Sequence, residues 1–311
     1  MKPIVDMTAA EAQGLRYILM DIDDTLTRGG KLLASAYAGL WKLKDAGLKV
    51  IPVTGRPAGW CDCIAREWPV DGVIGENGAL AMWEEPAVPG DAIIGDAVPG
   101  NAVPGNAVPG DAVLGDAVLG DTPRLPSLRT DYHPAAVRNT HPVLAKIKER
   151  ALAEFPPLRA AKDQFARLYD LALDFAEEEP VLPLSAAARI RDIALEEGAR
   201  AKVSSIHVNI WMGDYDKLSM VERFLSRRFG WQSGAGDREL IFAGDSPNDE
   251  PMFARFPLSC GVANVKKYAA IMKRLPAFVS SLDCGDGFAE IAGTILAKRQ
   301  GARAQTAGPP R

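Results

Sequence analysis

Tyr17-Ile18-Leu19-Met20-Asp21-Ile22-Asp23-Asp24-Thr25 decides the reading of this chain. Its first four residues are apolar without alternation, the pattern of a parallel strand covered on both faces. Two carboxylates two residues apart then fall at the carboxyl end of that strand, where open α/β sheets place their ligands. Carboxylates at such a place are costly unless cations pair them. Partners for Asp21 and Asp23 must therefore lie elsewhere in the chain.

The flanking sequence alternates strand and helix. Leu33 to Ala46 has helical spacing and ends at Gly47, a C-cap position. Leu48 to Val53 reads as a second buried strand, Pro57 to Trp68 as a helix and Gly72 to Ile74 as a third strand. Glu76-Asn77-Gly78-Ala79 turns into a hairpin through Leu80 to Trp83. A second α/β block follows, with helices expected at Pro142 to Phe155 and Leu184 to Glu197 and strands at Phe165 to Phe175 and Val203 to Met212. In the last of these, Ile206, Val208, Ile210 and Met212 alternate with Ser205, His207, Asn209 and Trp211. Such alternation means one packed face and one open face. After residue 213 the first style resumes, with a helix at Lys217 to Phe229, strands at Leu240 to Ala243, Leu258 to Ala263 and Phe278 to Ser280, and a closing helix at Asp286 to Ala297.

Between these blocks, residues 87–121 are seven consecutive pentads of the form Ala-(Val/Ile)-(Pro/Ile/Leu)-Gly-(Asp/Asn). The segment offers no aromatic residue and little to bury. It reads as a tolerated expansion in a surface loop, the other reading being an elastin-like spacer or binding arm. The expected organisation is a core over 1–85 and 213–298, a flexible insertion over 86–124, an α/β cap over 125–212 and a disordered tail over 299–311.

Composition narrows the function. The net charge of −4 over 311 residues leaves no basic footprint for nucleic acid or anionic lipid. No apolar run reaches the roughly 18 residues of a membrane span, and no secretory signal is seen at the N-terminus. Cys61, Cys63, Cys260 and Cys284 lack metal or disulfide spacing and read as reduced thiols of a cytoplasmic protein.

Three polar signals fall at the ends of elements of the same inferred sheet. They are Thr54-Gly55-Arg56, Lys217 at a helix start, and Gly244-Asp245-Ser246-Pro247-Asn248-Asp249. Each has an ordinary explanation alone: a cap, a solvated helix residue, a turn. With Asp21 and Asp23 they form a set suited to phosphoryl transfer, offering a nucleophile, an acid/base, phosphate binders and metal ligands.

In this order the four signals resemble the motifs of the haloacid dehalogenase-like superfamily. The Glu76 to Ala79 turn, the inserted second block, Val262-Ala263-Asn264 and Asp286-Gly287 are similar to its type IIB (Cof-like) subgroup. That subgroup includes sucrose-phosphate, trehalose-phosphate and mannosyl-phosphoglycerate phosphatases. The resemblance covers most of 15–85 and 200–297. It implies a Rossmann-like doubly wound parallel core with an inserted α/β cap, and a Mg²⁺-dependent phosphatase acting on a small phosphorylated metabolite. It further implies Asp21 as nucleophile, Asp23 as acid/base, Thr54 and Lys217 as phosphate-binding catalytic groups, and a magnesium site made by Asp21, the Asp23 carbonyl and Asp245. Arg56 and Asn248 would bind substrate, and Asp249 would stand behind them. On the cap strand, His207 and Asn209 are the candidates for leaving-group recognition. Trp211, Lys202 and Arg167 are further possible contacts. A phosphomutase on the same fold is the alternative reaction, and an inactive scaffold displaying the repeat a third reading. The sequence leaves the oligomeric state open.

Overall fold

The computed structural model describes residues 1–86 and 126–306. The pentad repeat, and with it the expected insertion beyond Pro86, lies outside the described residues.

The core is a six-stranded sheet. Its order is Lys2–Pro3, Phe278–Val279, Ser259–Gly261, Leu240–Gly244, Tyr17–Met20 and Lys49–Pro52, and every pairing is parallel. The sequence of the central strands follows from cover on both faces. Ile18, Met20, Val50, Ile241 and Ala243 pack into the core on one side, while Tyr17, Leu19, Ile51, Leu240 and Phe242 pack on the other. The first side is closed by the Ala34–Asp45 and Cys284–Thr306 helices, the second by Lys217–Phe229 and Glu250–Arg255.

Beyond the Lys49–Pro52 strand, a bridge from Val53 to Ile74 leads to a second, antiparallel sheet. It contains Val73–Gly75, Leu80–Glu85 and Ser127–Tyr132. The last of these pairs with Leu80–Glu85 along its whole length. The expected cap boundary at 125 is thereby corrected, because residues 127–132 extend the core side of the molecule.

The cap is a four-stranded antiparallel sheet, ordered Arg200–Val203, His207–Trp211, Asp170–Asp174 and Arg159–Ala160. The Pro142–Glu154 and Leu184–Glu196 helices cover one face. Leu144, Ile147, Ile190 and Ile193 meet Leu171, Leu173, Val208 and Ile210 there. The other set of side chains, with His207 and Asn209, faces the core.

Three spans differ from their sequence reading. Phe165 is exposed and belongs to a short 3-10 turn, Lys162–Ala166, so the strand is confined to Asp170–Asp174. The single strand expected at Val203 to Met212 is two strands of a hairpin, because the Ser204 hydroxyl accepts from the Ile206 and His207 amides and folds the chain back. The closing helix runs on to Thr306, through more than half of the tail expected at 299–311. Arg299 fixes it by donating to the carbonyls of Ala12, Gln13 and Leu15. Residues 307–311 lie outside the described part.

Candidate active site

Asp21 is the first residue past the Tyr17–Met20 strand, and its amide donates to Ala243 O, prolonging the ladder. Asp245 holds the equivalent position after Leu240–Gly244, and Thr54 lies just beyond Lys49–Pro52. All three therefore sit on the carboxyl edge of the sheet, the edge where such folds bind ligands.

Lys217 opens the Lys217–Phe229 helix, held by a capping box between Asp216 and Ser219. Its Nζ lies 2.9 Å from Asp21 Oδ1 and 3.1 Å from Asp249 Oδ1, and all three residues are buried. Burial alone would lower the Lys217 ammonium, but the Asp21 and Asp249 carboxylates more than reverse this and raise it. Burial likewise pushes Asp21 up to about 7, against the pull of Lys217 and with Asp249 and Asp23 adding to the rise. Asp245 is raised well above the carboxylate range, first by burial and then by Asp249 and Asp21.

Ligand oxygens of Asp21, Asp245 and Asp249 lie within 4.8 Å of one another. Three buried carboxylates facing one lysine leave an excess of negative charge, and this oxygen set suits a small, hard divalent cation such as Mg²⁺. Asp249 is the least available of the three. Its Oδ1 holds Lys217 and its Oδ2 accepts from the Asp245 amide at 3.0 Å. Thr25 Oγ1 and Asn264 Nδ2 hold the two oxygens of Asp245 at 3.4 and 3.3 Å. Asn264 also donates to the Asp24 carbonyl, so Asp24 contributes backbone to the loop.

The remaining candidates are distributed unequally. The Thr54 hydroxyl accepts from the Arg56 amide at 3.1 Å, which shapes the turn after the strand. Arg56 does not stand open as a phosphate binder. Its guanidinium forks onto Asp23, with Nη2 2.7 Å from Oδ1 and Nε 3.0 Å from Oδ2, and reaches Glu177 at 3.2 Å and Asp163 at 3.5 Å across the cap seam. Asn248 lines the cleft, its Oδ1 accepting from Ser246 Oγ at 2.6 Å. His207 and Asn209 also line it, together with Asp21, Asp23 and Arg56. The expectation that these two cap residues share a face therefore brings them to the core carboxylates. The other three cap candidates do not reach the cleft. Trp211 is buried and donates to Tyr215 O. Lys202 is half-buried on the neighbouring strand. Arg167 is buried and spends its guanidinium on Asp163, Asp170 and the Gly55 carbonyl.

Two carboxylates to which the sequence assigns no role of their own hold the seam. Glu76 is fully buried, and its oxygens accept from the amides of Ala58, Leu168, Tyr169 and Asp170. It thus ties the cap strand to the loop that bears Thr54 and Arg56. Glu177, in the Glu177-Glu178-Glu179 run, accepts from Arg56 and sits 2.8 Å from His207 Nε2. Only their positions in the fold distinguish them from ordinary turn and loop acids.

The geometry is that of a capped α/β fold with a lysine-bridged carboxylate centre, and the comparisons agree with that fold. Residues 18–89 match the family model of haloacid dehalogenase-like hydrolases. No curated protein matches the sequence closely enough to count as a relative. Among solved structures, a protein of Thermoplasma acidophilum shares 17% identity with a TM-score of 0.59, covering 91% of this chain and 98% of that one. A haloacid dehalogenase-like hydrolase from Bacteroides thetaiotaomicron shares 14% identity with a TM-score of 0.54, covering 90% and 99%. The sucrose-phosphatase of Synechocystis sp. PCC6803, solved with sucrose and phosphate, shares 12% identity with a TM-score of 0.53, covering 91% and 98%. Residues 18–89 thus resemble haloacid dehalogenase-like hydrolases, and the fold as a whole is similar to that of these solved structures.

Proposed function

We propose that the protein is a phosphatase that hydrolyses a small phosphate monoester, such as a sugar phosphate, through a phosphoryl group carried on Asp21. The observation that supports this most is Lys217 bridging Asp21 and Asp249 beside Asp245. An ordinary buried ion pair does not need three carboxylates around one lysine. A site that receives a phosphate dianion needs positive charge next to a carboxylate nucleophile.

Asp21 attacks phosphorus and Lys217 neutralises charge on the carboxylate and on the incoming phosphoryl oxygens. Asp21 and Asp245 are the residues that would hold Mg²⁺, with Asp249 behind them, and the ion would supply charge neutralisation between nucleophile and phosphate. Asp23, two residues on, protonates the leaving oxygen and then takes a proton from water. To do so it must exchange the Arg56 fork for the substrate. Thr54 and Asn248 border the phosphate position. About 20 Å³ of the cleft is open to a water-sized sphere, room for roughly one water. Entry of a sugar therefore requires the cap to lift, and its return excludes solvent.

The test is phosphate release from a panel of phosphorylated metabolites with Mg²⁺, comparing the wild type with Asp21→Asn. Turnover by the wild type and its loss below one part in a thousand in the variant is expected. Undiminished release by Asp21→Asn would remove Asp21 from the mechanism. A phosphomutase would instead need a bisphosphate activator and retain the phosphoryl group.

A further inference from the structure

The carboxylate centre has an opening on each side. Asp21 lines the substrate cleft, which leaves about 20 Å³ open to a water-sized sphere. Asp245 lines a second cavity, built wholly of core residues, with about 310 Å³ by the same measure, room for on the order of ten waters. This rear cavity lies between the turn after Met20, the Ala263–Tyr268 turn and the start of the closing Cys284–Thr306 helix.

Asn264 stands where the rear cavity meets the centre. It is 5% exposed. Its Nδ2 donates to Asp245 Oδ2 at 3.3 Å and to the Asp24 carbonyl at 3.0 Å, and its Oδ1 accepts from the Cys284 amide at 3.0 Å. Turning this one side chain would uncover an oxygen of Asp245. The lining favours a cation. Asp24, Asp245 and Asp283 border the cavity, Arg28 is paired with Asp286 at 3.0 Å, and Lys267 is left as the opposing charge. Magnesium gives up its water shell reluctantly, so a hydrated ion needs the larger opening. The cleft, with room for roughly one water, does not offer it.

We propose that the divalent ion reaches Asp245 and Asp21 through the rear cavity, past Asn264 as a gate, while the cap stays down. This rests on the reading of Asp21 and Asp245 as metal ligands and not on the identity of the reaction. Ion and ester then use separate doors, and lifting of the cap serves the ester alone.

A cap lock tests it. Gly59 lies on the core helix Ala58–Glu67 and Ala166 in the cap turn Lys162–Ala166. A Cβ at Gly59 would stand 3.0 Å from Ala166 Cβ, within about 1 Å of the span a disulfide needs. The pair Gly59→Cys and Ala166→Cys is made with Cys63→Ser, since Cys63 is exposed on the same helix. On oxidation, turnover of p-nitrophenyl phosphate is expected to fall about a hundredfold. Release of bound Mn²⁺ to excess fluorescent chelator, read by stopped flow, is expected to stay within about twofold of the reduced protein. Release slowed about tenfold or more by the lock would overturn the inference.

Charge variants decide it without the lock. With Kd taken from the free-ion EPR signal of Mn²⁺, release rates give association rates. Asp283→Lys is expected to slow association about fivefold and Lys267→Glu to speed it, both effects fading in high salt. Association unmoved by either would overturn the inference. Asn264→Ala is expected to speed association as well as release, whereas faster release alone would make Asn264 a positioning residue and overturn its role as gate. Absence of Mn²⁺ binding at equilibrium would refute the metal reading and this inference with it. Mn²⁺ exchange as expected, with no phosphate released by the reduced protein, would refute the phosphatase reading and leave this inference standing.

Discussion

Replacing Asp245 by Asn should make the metal-free protein more stable, although Asp245 is buried and hydrogen-bonded. The ligand oxygens of Asp21, Asp245 and Asp249 lie within 4.8 Å of one another. At that separation and an effective dielectric constant of about 20, each like-charge pair costs about 3.5 kcal/mol. Asp245→Asn removes two such repulsions and one attraction of similar size to Lys217, a net relief of about 3.5 kcal/mol. The raised pKa of Asp21 lets the wild type relieve part of this by taking up a proton near neutrality, and Asn keeps a weaker version of the contacts to Thr25 and Asn264. About 2 kcal/mol should survive, a rise in Tm of roughly 3 °C for a chain of this size.

The sign with pH follows from the raised carboxyl of Asp245. Below its ordinary value of 3.8 the group is protonated both folded and unfolded, and substitution gains nothing. Above that value the folded state alone resists ionisation, so wild-type stability falls and the advantage of the variant grows as pH rises. Thermal unfolding in EDTA at pH 5, 6.5 and 8 reads this directly. Mg²⁺ should reverse the order. At 100 times its Kd an ion stabilises the wild type by about 2.7 kcal/mol, whereas the variant has lost a ligand and should gain little. A lower Tm for the variant in EDTA at pH 8, or an equal gain from Mg²⁺ in both proteins, would refute the claim that repulsion at this centre is held for a metal.

Lys217→Met should abolish turnover and destabilise the metal-free fold by about 3 kcal/mol, since it leaves Asp21 and Asp249 without their cation. Tm against pH should show the loss shrinking below pH 7, where Asp21 accepts a proton. Binding of Mg²⁺ should release at least one proton at pH 6 and weaken as pH falls further, because the Asp21 carboxyl near 7 and the raised Asp245 carboxyl must ionise first. Calorimetry in buffers of different ionisation enthalpy measures it, and a pH-independent affinity would contradict it. Glu76→Gln, nearly isosteric, should still cost about 3 kcal/mol in urea denaturation. Four amides converge on the two oxygens of Glu76, and an amide nitrogen in place of one oxygen meets donors with a donor.

The parts of this molecule legible in its sequence are those where one residue type answers to one local constraint. Tyr17–Met20 announces a doubly covered parallel strand because Tyr17 and Leu19 enter one layer of the core and Ile18 and Met20 the other. The alternation around Val208 and Ile210 announces a one-sided cap strand for the same reason. Asp21, Lys217, Asp245 and Asp249 are legible as a group through the order of their motifs. Glu76 and Glu177 are not, because their importance comes from what arrives at them from far along the chain. Glu76 receives amides 92 to 94 residues away, and Glu177 receives a guanidinium 121 residues away. The Ser204 turn was hidden for a different reason. Hydrophobic alternation persists across a tight hairpin, so periodicity saw one strand where the hydroxyl of Ser204 makes two.

Arg56 shows how far a motif residue can be read without its surroundings. Its position after Thr54 marks it as belonging to the phosphate end of the sheet, yet its guanidinium is held by Asp23 and by two acids of the cap. Burial would lower it, but Asp23, Glu177 and Asp163 reverse this and raise its pKa. One side chain thus joins the proposed acid/base to the part that must move. While Arg56 forks onto Asp23, both carboxylate oxygens are occupied by the guanidinium. On the proposed phosphatase reading, lifting the cap would remove Glu177 and Asp163 from Arg56 and open the pair to an entering ester, whose dianion would compete with Asp23 for the same fork. On that reading, substrate entry and release of Asp23 from the fork would be one event. The narrow cleft, the engaged arginine and the occupied carboxylate of Asp23 are three aspects of one set of contacts.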